Sequence, residues 1–88
     1  MNKKLIIISA VWCPSCLILK KHLKKLKEDY NLVYELLDYD FDEDRVKEYN
    51  IGDKLPVIIT PKNRLIGEKT YDEIIEFLKG EEIIWKNI

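Results

Sequence analysis

Short apolar runs alternate with amphipathic segments along the chain, and this alternation predicts the order of its elements. Residues 3–9 contain a continuous apolar, β-branched run, which is typical of a strand buried on both faces. Residues 14–29 carry apolar side chains at helical spacing with lysines between them. Pro14 suits the first helical position, where its missing N–H is not needed. The N-terminal part therefore predicts a strand followed directly by a helix.

The middle of the chain predicts three more strands and a short helix. Strands are expected over residues 31–38, 55–60 and 64–67, which are rich in strand-forming side chains and separated by turn residues. The short helix should begin within the acidic run 38–44, because carboxylates are favourable near the positive N-terminal end of a helix. It should stop near Asn50.

A last helix is predicted by a capping pattern. Thr70 is followed three residues later by Glu73, which together form a capping box, and Gly80 is expected to end the helix. Three placements stay open for residues 81–88: a continuation of the helix, an edge strand, or packing across the sheet.

The predicted order is β-α-β-α-β-β-α, which indicates an α/β fold. The first strand-helix-strand unit requires a parallel pair with a right-handed crossover, and the short turn between the last two strands requires an antiparallel pair. We therefore expect a four-stranded mixed sheet with helices on both faces. Because 88 residues give room for one hydrophobic core, residues 1–88 should form a single domain, with residues 80–88 as a C-terminal extension.

Composition and charge narrow the class of protein. Apolar residues make up 47% of the chain and charged residues 35%, as in a folded water-soluble domain, and the net charge of −1 gives no bias toward nucleic acid or membranes. Residues 1–8 imitate the start of a signal peptide, but the apolar stretch is short and a buried strand is the preferred interpretation. We therefore expect a cytoplasmic protein. In that compartment a C-x-x-C pair is more often catalytic or metal-binding than structural.

The two cysteines of the chain are the main candidates for chemistry. Cys13 and Cys16 are three positions apart at the strand-to-helix junction, a spacing that permits both the dithiol and the disulfide. Cys13 precedes the first helical turn, where free N–H groups and the helix dipole stabilise a thiolate. Cys16 lies on the apolar stripe and should be more buried. We expect Cys13 to be the nucleophile and Cys16 the resolving thiol.

Two other interpretations of this cysteine pair are part of a zinc site and a pair of buried, unreactive thiols. A structural zinc site usually takes four protein ligands, and the other soft ligand of the chain, His22, lies six residues past Cys16 on the same helix. We therefore predict no metal site within one chain. Two buried, unreactive cysteines are the second alternative.

Three separate features give the chain a family resemblance. They are the Trp-Cys-Pro-Ser-Cys motif at residues 12–16, the proline Pro56 near the start of the third strand, and Gly67 ahead of the last helix. With these features, residues 3–80 resemble the thioredoxin-like superfamily, and in size and element order the chain is most similar to a glutaredoxin or a minimal thioredoxin. The resemblance implies a thioredoxin fold.

The resemblance also implies roles for particular residues. It implies a cis peptide bond before Pro56, which would lie against the cysteine pair, and a backbone at Leu55 that pairs with the substrate chain. The further substrate-contacting positions that it implies are Trp12, Pro14, Ser15 and Gly67. For Trp12, packing in the core stays an alternative.

As a function, the resemblance implies a thiol–disulfide oxidoreductase that reduces protein disulfides or glutathione mixed disulfides. It would act as a monomer without a bound cofactor, in cellular redox homeostasis and electron transport, with glutathione or a thioredoxin reductase as electron donor. Two alternatives stay open. One is an iron–sulfur module in which two chains each contribute Cys13, and the other is a redox-inactive interaction domain that uses the groove beside Pro56.

The chain departs from the family patterns at four places. Pro14-Ser15 stands between the cysteines, where glutaredoxins usually have Pro-Tyr and thioredoxins usually have Gly-Pro. Ala10 stands where glutathione-dependent glutaredoxins commonly have a lysine, and Gly67-Glu68 stands where they often have two glycines. Ile7 lies near the position of the buried aspartate of thioredoxins. These departures leave the electron donor open.

Overall fold

The computed structural model describes residues 4–84, which contain four strands and three helices. The elements are β1 (Ile6–Ser9), α1 (Pro14–Tyr30), β2 (Glu35–Asp38), α2 (Glu43–Lys47), β3 (Val57–Ile59), β4 (Arg64–Ile66) and α3 (Tyr71–Gly80). The predicted order β-α-β-α-β-β-α is confirmed.

The four strands form one mixed sheet in the order β2-β1-β3-β4. β1 is parallel to β2, while the pairs β1–β3 and β3–β4 are antiparallel. Ile7 is paired with Leu36 on one side and with Ile58 on the other. β1 therefore lies inside the sheet, and its apolar run is explained by burial on both faces.

Alternate residues of β1 supply the two faces of the sheet. Ile7 belongs to a core cluster with apolar residues of α1 and α3, whereas Ile6 and Ile8 belong to a second cluster with Val46 of α2. Because successive side chains of a strand point to opposite faces, α1 and α3 cover one face and α2 covers the other. The prediction of helices on both faces is confirmed.

All four strands are shorter than predicted, and for β2 and β3 the reason is local. β2 begins only at Glu35 because Asn31 ends α1 in a left-handed conformation (φ 55°) and its N–H donates to the carbonyl of Lys27. β3 begins after Pro56, which has no N–H to donate to a strand ladder. The predicted start of the first strand at Lys3 lies outside the described residues.

The end of α3 differs from the expected glycine stop. Gly80 is the last helical residue, as predicted, but the left-handed position that reverses the chain is taken by Glu82 (φ 59°). The N–H of Ile83 then donates to the carbonyl of Leu78 at 2.9 Å, as in a Schellman motif. Ile84 is buried in the α1/α3 cluster. The segment therefore packs onto the core up to Ile84, and the rest of the predicted extension, including Trp85, lies outside the described residues.

The capping box of α3 is present and gives a test of the fold. The hydroxyl of Thr70 accepts the N–H of Glu73, and the Glu73 carboxylate accepts the N–H of Thr70, both at 3.1 Å. Thr70→Ala should lower the free energy of unfolding by about 1 kcal/mol because it removes the acceptor of an otherwise unpaired helix N–H. Urea denaturation measures the loss. Thr70→Ser, which keeps the hydroxyl, is the control, and an alanine variant as stable as the serine variant would contradict the prediction.

Candidate active site

The predicted site residues meet at one end of the sheet because of the strand directions. The carboxyl end of β1 delivers Cys13 at the start of α1. β3 runs antiparallel to β1, so Pro56, just before its first residue, lies at the same end. β4 runs antiparallel to β3, so its last residue is followed there by Gly67. The topology thus brings together residues that are distant in sequence.

Cys13 occupies the N-cap of α1. Its backbone is extended (φ −99°, ψ 114°), and its carbonyl accepts the N–H of Cys16 at 3.1 Å. Its own N–H donates to the carbonyl of Ala10 at 3.3 Å, and Pro14 takes the first helical position. Cys13 therefore lies where the first N–H groups of a helix have no helical partner and favour negative charge.

Cys16 lies in the first turn of α1 and is the more buried of the two thiols. Its exposure is 0%, against 8% for Cys13, and both cysteines are free thiols. Burial and a hydrogen bond to the Cys13 thiol raise the pKa of Cys16 from its ordinary value of 9.0 to about 11. Cys16 is therefore protonated at neutral pH and remains so until the pH is strongly alkaline.

The segment at the start of β3 closes the site from the other side. The peptide bond between Leu55 and Pro56 is cis, as the family resemblance implied. Pro56 is buried, and Leu55 packs against the cluster formed by Ala10, Cys13 and Cys16. The carbonyl of Pro56 accepts a hydrogen bond of 2.9 Å from the N–H of Gly67.

Gly67 holds a conformation that glycine allows. Its φ of 92° lies in a region that L side chains rarely adopt, while a Cβ there would meet no atom within 4 Å. The glycine is therefore explained by backbone conformation and not by crowding. It lets the chain turn from β4 toward α3 while its N–H reaches Pro56.

Trp12 is on the surface, which rules out the alternative that it packs in the core. Its exposure is 58%, so it does not pack in the core. The indole N–H donates to a carboxylate oxygen of Asp40 at 2.7 Å, and the ring lies edge-to-face against Tyr39 at a centroid distance of 6.0 Å. The hydroxyl of Tyr39 in turn donates to the carbonyl of Gly52 at 3.1 Å. Trp12 is held at the rim of the site by these contacts.

The dipeptide between the cysteines is hydrogen-bonded to a residue that follows the edge strand β4. Pro14 is exposed, whereas Ser15 is half-buried and donates its hydroxyl to a carboxylate oxygen of Glu68 at 3.0 Å. Glu68 follows Gly67 directly. The side chain of Glu68 thus connects the first turn of α1 to the turn before α3.

Comparisons with known proteins give structural similarity only. No protein-family model and no curated protein matches the chain. A solved structure of a malarial protein is 23% identical, with a TM-score of 0.75 over 92% of this chain and 98% of that one. Oxidised mitochondrial thioredoxin 3 from Saccharomyces cerevisiae is 25% identical, with a TM-score of 0.76 over 90% of this chain and 78% of that one. Reduced thioredoxin from Schistosoma mansoni is also 25% identical, with a TM-score of 0.76 over 90% and 79%.

The chain has a thioredoxin fold. The resemblance to the thioredoxin-like superfamily, predicted from the residue 12–16 motif, Pro56 and Gly67, is confirmed. The paired cysteines of this thioredoxin-fold protein lie close together beside the cis peptide bond.

Sequence reasoning missed three residues of the site in this thioredoxin-fold protein. Tyr39 and Asp40 follow β2, and Glu68 follows Gly67. The sequence did contain a signal for Tyr39 and Asp40. They follow β2, and the carboxyl ends of two paired parallel strands lie at the same end of a sheet. Nothing in the spacing indicates that Glu68 contacts Ser15.

The interior of this thioredoxin fold contains no buried carboxylate near Cys16. Among residues 4–84, the buried polar side chains are Ser9 and Thr60. Ile7, which stands near the place of the family's buried aspartate, is fully buried in the α1/α3 cluster. An acidic residue is therefore not available inside the protein to accept the proton of Cys16.

The described residues contain neither a cluster of metal ligands nor a helix that could span a membrane. Within residues 4–84, no group of three or more His, Cys, Asp or Glu side chains is placed to hold a metal ion. His22 lies on α1 beside the ring of Tyr71, at a centroid distance of 5.8 Å. In the same part of the chain, no helix is both long enough and apolar enough to cross a bilayer.

The raised pKa of Cys16 gives a pH prediction. In Cys13→Ser, thiolate absorbance near 240 nm should rise at a higher pH than in the unfolded chain, because burial, the largest cause of the raised pKa, remains while the contribution of the Cys13 thiol is removed. The same variant unfolded in urea should titrate near 9, the ordinary value. Since the folded-state pKa is the higher one, this group's contribution to stability is present below the unfolded pKa and is lost as the pH rises toward 11. Coincident titrations of the folded and unfolded forms would contradict the prediction.

Proposed function

We propose that this thioredoxin-fold protein is a thiol–disulfide oxidoreductase that reduces disulfides of other proteins through a Cys13/Cys16 dithiol–disulfide cycle. One observation carries the proposal: two free thiols of the same buried cluster lie one helical turn apart, one at the N-terminus of α1 and the other inside its first turn. Cys13 lies at the open N-terminus of α1, while Cys16 is fully buried and has a raised pKa. Such asymmetry suits an attacking thiol and a resolving thiol.

In the first step, the thiolate of Cys13 attacks one sulfur of the target disulfide. A bond forms between Cys13 Sγ and that sulfur, the target's S–S bond breaks, and its second sulfur leaves as a thiolate that takes up a proton. The helix N-terminus at Cys13 stabilises the attacking thiolate. Because Cys16 is still protonated, it does not compete for the target.

In the second step, Cys16 loses its proton to solvent and attacks Cys13 Sγ. The Cys13–Cys16 disulfide forms, the mixed disulfide breaks, and the target sulfur that Cys13 had attacked leaves as a thiolate. Two electrons have then passed from the dithiol to the target. An external dithiol of the electron donor returns the protein to the reduced form by the same exchange in reverse.

The surface around Cys13 supports an extended protein segment as the substrate. Leu55 lies half-buried against the cysteine cluster before the cis bond, and its backbone is the proposed partner for the substrate chain. Exposed Trp12 and Pro14 and the turn at Gly67 complete the proposed contact surface. We propose that the protein works as a monomer in the cytoplasm, with no bound cofactor.

The two cysteines can be separated by mutation. Cys13→Ser should reduce insulin disulfides no faster than dithiothreitol alone, because the attacking sulfur is absent. Cys16→Ser should accumulate a mixed disulfide with its target, detectable by non-reducing electrophoresis and mass spectrometry, because the resolving sulfur is absent. Circular dichroism checks that both variants fold. Full activity of Cys13→Ser would refute the proposal, and thiols that are unreactive at neutral pH would favour a redox-inactive interaction domain.

The electron donor can be assigned with NADPH oxidation. We expect turnover with a flavoprotein thioredoxin reductase and little with glutathione plus glutathione reductase. Ala10 and Glu68 replace a lysine and a glycine that the family resemblance associates with glutathione use. Turnover with glutathione alone would contradict this assignment. Activity with neither donor, together with a coloured dimer from anaerobic purification, would favour the iron–sulfur alternative.

A further inference from the structure

Two carboxylates accept hydrogen bonds from residues on either side of Cys13, one from the loop before it and one from the first turn of α1. Asp40 follows the edge strand β2 and accepts the indole N–H of Trp12 at 2.7 Å. Glu68 follows the other edge strand, β4, and accepts the hydroxyl of Ser15 at 3.0 Å. Trp12 precedes Cys13 and Ser15 lies two residues after it. The carboxylate pair (Asp40 and Glu68) therefore lies on both sides of the nucleophile.

Neither member of the carboxylate pair is neutralised by a cation. Both side chains are exposed, and their hydrogen-bond donors, an indole and a hydroxyl, are uncharged. Over residues 4–84, no salt bridge joins either carboxylate to a lysine or arginine, although Lys69 follows Glu68 directly. The site therefore presents two negative charges to an approaching substrate.

Two other acidic residues of this region, Glu35 and Glu43, have a different environment. Glu35 forms a bidentate pair with Arg45 at 2.7 Å, and Glu43 pairs with Lys47 at 3.1 Å. These charges are compensated within the protein. The carboxylate pair, by contrast, is positioned by uncharged donors and forms no salt bridge with a lysine or arginine among residues 4–84.

We propose that Asp40 and Glu68 are specificity-determining residues that make this protein prefer disulfides flanked by lysine or arginine. The inference rests on the proposed oxidoreductase function. A substrate segment that lies across Cys13 toward Leu55 and Gly67 places its flanking residues near both rims of the site. Because hydrogen bonds hold the carboxylates, a cationic side chain meets charges already in position. Glutathione disulfide, which carries more carboxylates than ammonium groups, is disfavoured.

The test uses two synthetic peptides that contain the same cyclic disulfide. Two lysines flank the disulfide in one peptide and two glutamates in the other. Fully reduced protein is mixed with each peptide, the reaction is quenched with acid, and each rate is divided by the rate with dithiothreitol to remove intrinsic reactivity. At low salt we expect the lysine peptide to react about fivefold faster. At 1 M salt the preference should nearly disappear because the Debye length falls to about 3 Å.

Matched variants separate charge from hydrogen bonding. Asp40→Asn and Glu68→Gln keep an acceptor oxygen for Trp12 and Ser15 but remove the charge. Each should lower the preference about twofold, and the double variant should abolish it. Glu28→Gln is the control, because this exposed residue lies twelve positions past Cys16 on α1, about 18 Å along the helix axis.

The outcomes distinguish the two proposals. If wild-type protein reduces none of the peptides, the proposed function fails. If it reduces the lysine and glutamate peptides equally fast, the function stands and the inference fails. If the preference survives in the double variant, or is lost equally in Glu28→Gln, these two carboxylates are not its source.

Discussion

Burial of β1 on both faces and at both edges is the constraint on which the rest of the structure depends. Ile6–Ser9 is buried throughout and is paired with β2 on one side and with β3 on the other. Its alternating side chains hold α1 and α3 on one face and α2 on the other. Because Cys13 follows this strand after only three residues, the position of Cys13 is set by the most constrained segment of the core.

The chemical asymmetry of the cysteines follows from the same junction. A helix that starts shortly after a buried central strand has its N-terminus at the end of the sheet, and its first turn packs against the core. Cys13 receives the electrostatic environment of the first location, and Cys16 receives the burial of the second. Ile7 is fully buried in the α1/α3 cluster, near the position where the family resemblance leads us to expect an aspartate. The backbone arrangement therefore separates the two thiols without a dedicated acid or base.

The core and the rim of the site have different origins. The cysteine cluster is built from β1, α1 and the segment before β3, all of which are required for the fold. The rim is built from residues that follow the edge strands, where Asp40 and Glu68 make contacts that the fold does not require. The chemistry that is common to a fold and the selectivity that is particular to one chain can therefore depend on different residues of the same site.

The sequence by itself determined the features that depend on near neighbours. The order of the elements, the Thr70 capping box and the i, i+3 cysteine pair follow from propensity, capping and helical spacing. Only the tertiary structure decided that Trp12 is exposed against Asp40, that Ser15 binds Glu68, and where the chain after Gly80 packs. These contacts join residues distant in sequence, and no local pattern records which surfaces the folded sheet brings within hydrogen-bond distance.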